Sequence, residues 1–149
     1  MSLTENKALV RRLYDDVWNK RRLEVVQELI SPSHALFGTL FTDSSVGPEA
    51  YKRVLTQFIG AFPDLRFTVS DIIAEKDKVV VSWTISGTHK REFRGIPATN
   101  KKISVEGATI HEISRGRILD SDVRLDHLGL LQQLNAVRLT AQPKTVAAL

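Results

Sequence analysis

The chain has 149 residues, a formal net charge of +4 and no cysteine, which excludes disulfides, thiolate metal sites and a cysteine nucleophile. A chain of this length buries roughly 70% of the surface it exposes when unfolded, so one domain without covalent staples is expected. No apolar run approaches the roughly 20 residues that span a bilayer, the N-terminus lacks a signal-peptide pattern, and acidic and basic residues are interleaved; the expectation is a cytoplasmic protein with neither membrane nor nucleic-acid partners.

From Thr4 to about Trp18, Leu9, Val10, Leu13, Tyr14, Val17 and Trp18 recur at helical spacing, with Thr4 as the expected N-cap. A second short helix follows from about Leu23 to Ile30, closed by Ser31-Pro32, and residues 33–46 read as a short strand plus loop. A third helix carries Pro48 in its first turn, runs to about Phe62 and is broken by Pro63-Asp64. The period then changes from helical to alternating. Strands are expected over Arg66–Ile73, Lys78 to about Glu92, Lys101–Ser114 and Arg117 to about Asp126, with turns at Glu75-Lys76-Asp77 and Arg115-Gly116. Helices first and antiparallel strands afterwards make an α+β domain over residues 1–135, and the remainder from Ala136 reads as a loosely held tail.

Three stretches carry a family resemblance. They are Gly47-Pro48-Glu49-Ala50-Tyr51 with Ala61-Phe62-Pro63-Asp64-Leu65; Gly87-Thr88-His89 with Phe93-Arg94-Gly95-Ile96-Pro97-Ala98-Thr99; and Gly116-Arg117-Ile118-Leu119-Asp120 with the run from Asp126 to Leu134. In this order, with the opening from Asn6 to Tyr14, the chain resembles the SnoaL-like polyketide cyclases, a branch of the nuclear-transport-factor-2-like superfamily. The resemblance implies a cone formed by a curved antiparallel sheet against N-terminal helices, a cavity inside it, a homodimer, and no metal or organic cofactor. It also implies that Asp126 is the acid/base of the cyclases' ring closure. Polar groups that accompany that Asp in the cyclases correspond here to Leu36, Gly107 and Thr109, which carry no equivalent amide or imidazole.

Strand alternation puts Asp122, Arg124 and Asp126 on one face and Leu119, Val123 and Leu125 on the other. If the acidic face lines the cavity, Arg124 pairs the two carboxylates and Asp126 exchanges protons there; if it faces solvent, the row is a surface ion-pair ladder. His111 shares a face with Thr109 and is either a second acid/base group or a half-exposed strand-end histidine. Trp18, Leu36, Trp83, Val105 and Thr109 are the expected pocket wall, Trp83 and Trp18 being core in the alternative. His89 reads as a hairpin stabiliser. The four histidines, His34, His89, His111 and His127, are too scattered for a metal site. Lys90, Arg91, Arg94, Lys101 and Lys102 form either a solvated hairpin rim or an anion-binding patch.

Three functions follow. The first is cofactor-independent proton transfer by Asp126 on a small apolar or polyketide-like carbonyl compound, of cyclase, isomerase or lyase type. The second is epoxide hydrolysis by the Asp-Arg-Asp set. The third is a non-catalytic dimer that holds a hydrophobic ligand.

Overall fold

A computed structural model of the chain describes residues 2–41 and 46–138. Helix α1 (Leu3–Arg12) starts two residues earlier than Thr4 suggests: Ser2 and Glu5 form a reciprocal capping box, a partnership Thr4 lacks because Lys7 stands three residues on. The helix continues as a wider, π-type turn over Leu13–Asn19. That turn buries Leu13, Tyr14, Val17 and Trp18 together, a distortion often found where a helix serves a site.

The second helix is shorter than its spacing suggests. A single 3-10 turn (Leu23–Val25) runs into α2 (Val26–Leu29), and the chain passes directly into strand β1 (Ile30–Phe37). Pro32 is tolerated inside β1 because this is an edge strand whose pairing is interrupted between Ile30 and Ala35. Helix α3 (Gly47–Ala61) carries Pro48 in its first turn as expected.

Strands β2 (Arg66–Glu75), β3 (Lys78–Thr88), β4 (Lys102–Ser114) and β5 (Arg117–Leu125) form an antiparallel meander, and α4 (His127–Gln133), which the pattern did not announce, follows. The sheet order is β1-β5-β4-β3-β2. Because β1 joins β5 in parallel, the sheet is mixed rather than wholly antiparallel. Its concave face meets α1, the wide turn and α3 over a core that includes Val17, Leu55, Phe62, Val81, Trp83 and Ile118.

Strand β3 stops short of Glu92. Lys90 N–H donates to Ala61 O at the end of α3, and Phe93 and Ile96 close a tight turn on each other. His89 ties this excursion together: its Nδ1 lies 3.0 Å from Thr99 Oγ1 and accepts from Thr99 N at 3.2 Å, with its ring stacked on Phe62. No described helix is long and apolar enough to cross a membrane. Most of the tail expected from Ala136 lies outside the described residues.

Candidate functional site

Between the concave face and the helices lies an apolar, aromatic cavity of about 50 Å³. That is room for a few water molecules, so a ring-sized guest requires side chains at its mouth to swing. Its aromatic wall is interlocked: Phe67 packs against Tyr14, Trp18 and Trp83 with centroid separations of 5.2, 5.0 and 5.2 Å. Trp18 Nε1 donates to Tyr51 OH at 2.8 Å, and Trp83 Nε1 donates to Thr109 Oγ1 at 3.0 Å. Both indoles are thus fixed by their one polar atom as well as by packing.

The remaining polar atoms form a single chain. Tyr14 OH lies 2.9 Å from His111 Nε2, His111 Nδ1 lies 2.8 Å from Ser121 Oγ, and Ser121 Oγ lies 2.9 Å from His34 Nε2. Both imidazoles are fully buried. Burial pushes His34 down to about 4, and burial, reinforced by His34, pushes His111 down to about 3, so both rings are neutral near pH 7. Burial pushes the Tyr14 hydroxyl well above its usual range. With neutral rings the hydrogen-bond inventory permits two directions along the chain. In one, Tyr14 donates to His111 Nε2, His111 Nδ1–H donates to Ser121, and Ser121 donates to His34; in the other every donor is reversed.

Of the expected wall, Trp18, Leu36, Trp83 and Thr109 do line the cavity, and His111, expected as an acid/base candidate, lines it with them. Val105 does not; it is buried in the core elsewhere on the concave face. His111 is not the half-exposed strand-end residue of the alternative reading.

The acidic row is on the wrong side. Asp122 and Arg124 do share a face, and they pair at 3.0 and 2.8 Å, but the Arg124 side chain is 71% exposed. Asp126 lies beyond the end of β5, exposed, where its carboxylate accepts from Gly129 N at 2.9 Å and caps α4. The residues of this segment that reach the cavity are Ser121, Val123 and Leu125.

A bulge explains the inversion. Ile113 pairs with Ile118, yet Glu112 pairs with Asp120, so Leu119 is an extra residue in β5. Ile118 and Ser121 are therefore both buried, and every later side chain changes face. The same geometry keeps the Asp122, Arg124 and Asp126 set expected for epoxide opening off the lining of the aromatic cavity. An Asp126→Ala variant is expected to unfold about 1 kcal/mol more easily, through loss of the cap; an unchanged urea midpoint would contradict that role.

Tyr14, His34 and Ser121 are site residues that the sequence did not single out as polar partners. Among the described residues no group of three or more His, Asp or Glu side chains is arranged to hold a metal ion.

The family model described as SnoaL-like polyketide cyclase matches residues 8–134. IdmH from Streptomyces antibioticus, a candidate polyketide cyclase, is 28% identical, with 87% of this chain and 98% of that one covered at a TM-score of 0.74. AclR from Streptomyces galilaeus, a candidate hydroxylase, is 26% identical over 99% of this chain and 94% of that one, with a TM-score of 0.79. TsrD from Streptomyces laurentii shares the fold at a TM-score of 0.83 and 23% identity, over 92% and 99% of the two chains. The search of curated proteins gave no match. One architecture thus carries different assigned chemistries, and the reaction must be argued from the cavity itself.

Proposed function

The chain belongs to the SnoaL-like polyketide cyclase family, and on that premise we propose that its cavity binds a small, largely apolar carbonyl compound and moves a proton on it through Tyr14 and His111. The observation that carries this reading is the 2.9 Å contact between the Tyr14 hydroxyl and His111 Nε2 in a cavity whose described lining contains no carboxylate. With Asp126 outside, His111 Nε2 is the nitrogen lone pair on the described lining that can receive a proton from carbon; burial weakens it as a base, so the step depends on the charge that forms beside it.

A carbonyl oxygen that competes for the Tyr14 O–H frees His111 Nε2. The α-carbon C–H bond then breaks, its electron pair becomes the enolate, and Nε2 takes the proton while Tyr14 donates to the enolate oxygen. The imidazolium is unfavourable in this buried position, and the adjacent enolate charge offsets that penalty. Return of the proton to another carbon gives isomerisation; attack of the enolate carbon on a second carbonyl of the same molecule, with the proton passing to the new alkoxide, gives ring closure. In the direction where Ser121 donates to His34, His111 Nδ1–H donates to Ser121 and Nε2 faces the cavity as an acceptor; this is the tautomer the reaction uses. The reading calls for no cofactor, and its expected setting is a homodimer.

Exchange of α-protons for deuterium in a simple aryl methyl ketone, followed by NMR in heavy water, tests the proposal without knowledge of the natural substrate. Tyr14→Phe is expected to slow enzyme-dependent exchange about a hundredfold, whereas Asp126→Asn leaves it unchanged. Undiminished exchange in Tyr14→Phe rejects the pair as the reacting group. The lack of a lining carboxylate also favours a second reading, a pocket that binds without turnover; ketone binding with no exchange would select it.

A further inference from the structure

A second cleft opens off the aromatic cavity and has a different character. It shares Leu36, Phe41 and Val54 with the cavity, and its outer rim carries Arg53 of α3 and Arg94 of the Phe93–Ile96 turn, with Gln57 beside them. No acidic residue is among its described lining. Arg94 is held there: its backbone adopts φ +50°, and its guanidinium lies 6.0 Å from the Phe58 ring centroid and 5.9 Å from that of Phe93. Phe58 also lines the inner cavity, so this cation rests against the cavity's own wall. The acid among the described lining of the adjoining groove, Glu92, is engaged by the Gly95 backbone N–H.

Two guanidiniums at the mouth of an uncharged aromatic chamber fit one kind of guest. We propose that the ligand is an amphipathic carboxylic acid, its apolar carbonyl-bearing body in the cavity and its carboxylate between Arg53 and Arg94. Arginine suits this task because its planar fork matches a carboxylate while its face stacks on an aromatic ring. The proposal rests on the reading of the cavity as a carbonyl-compound pocket and adds the chemical class of what enters.

The test compares benzoylpropionate, a phenyl ketone with a short carboxylate arm, with its methyl ester, using quenching of Trp18 and Trp83 as the binding signal. The acid is expected to bind about tenfold more tightly than the ester. Arg53→Gln and Arg94→Gln should each weaken acid binding about fivefold, a modest effect because both side chains are solvent-exposed, and leave the ester unaffected. Added salt should erode the acid's advantage. Arg66→Gln, on β2, controls for general attraction by a basic protein and should change neither affinity. Equal binding of acid and ester, or an acid preference that survives both variants, overturns this inference and leaves the pocket reading standing. Failure of both compounds to bind overturns the two together.

Discussion

Between neutral pH and about pH 5 the folded state is expected to lose about 4 kcal/mol of stability, roughly 2 kcal/mol through each of His34 and His111. The sign follows from the direction of the shifts. Each imidazole has a folded-state pKa below its unfolded value of 6.5, His34 at about 4 and His111 at about 3. The unfolded chain therefore binds protons first as pH falls. Their contribution is fully present above 6.5 and drains away as pH drops toward the folded values. The carboxylates with lowered pKa values do not confuse this window. Asp64, bonded by Thr88, and Asp122, bonded by Arg124, have lowered pKa values, so their contributions are lost only below the ordinary carboxylate value of 3.8. Asp120 works in the opposite sense: burial, with Glu112 beside it, raises its pKa, so its contribution is present at low pH and lost as pH rises. Urea unfolding at the two pH values checks the prediction, and a His34→Gln variant should show about half of the wild-type pH dependence. A wild-type stability that stays level between them would mean that the buried histidines are charged or solvated.

The elements that position the site were legible where the period was long and regular. Tyr51, Leu55 and Phe58 on α3, and the alternation of Val79, Val81 and Trp83 on β3, face inward as their spacing requires. The His111 alternation with Thr109 was equally readable and placed both on the cavity. Its partner was not. A two-residue turn at Arg115-Gly116 with strict pairing would set His111 opposite Asp120, and Asp122, Arg124 and Asp126 would then point inward with Ile118. The extra residue at Leu119 sets it opposite Ser121 instead. No residue type in Ile118-Leu119-Asp120 announces a bulge, because any L-residue can occupy this kind of kink. The family position of Asp126 carried a second ambiguity: an Asp just past a strand is equally a helix cap, and only the three-residue spacing to Gly129 N–H in the folded chain decides for the cap.

Gly107→Ala is expected to destabilise the protein by about 3 kcal/mol or more, through contacts with the wall of the cavity. A Cβ at this position would overlap Trp83 Cη2 and come within 2.8 Å of Trp83 Cζ3 and 2.7 Å of the Arg124 carbonyl oxygen. The indole is locked by its bond to Thr109 and its packing on Phe67, and the carbonyl belongs to a paired strand, so neither side can yield cheaply. The Trp83 ring fills the space beside Gly107, and Tyr14 and His111 form a polar pair on this cavity. Gly60→Ala is the matched control: nothing lies within 4 Å of the added carbon, and in the last turn of α3 it should stabilise by about 0.5 kcal/mol. Combining Gly107→Ala with Trp83→Leu should recover more than about 1 kcal/mol relative to the sum of the single changes, because the larger part of the overlap is with the ring. A Gly107→Ala protein with a wild-type urea midpoint would show that the indole moves freely, and the cavity would then have to be read as larger and more polar than its aromatic lining implies.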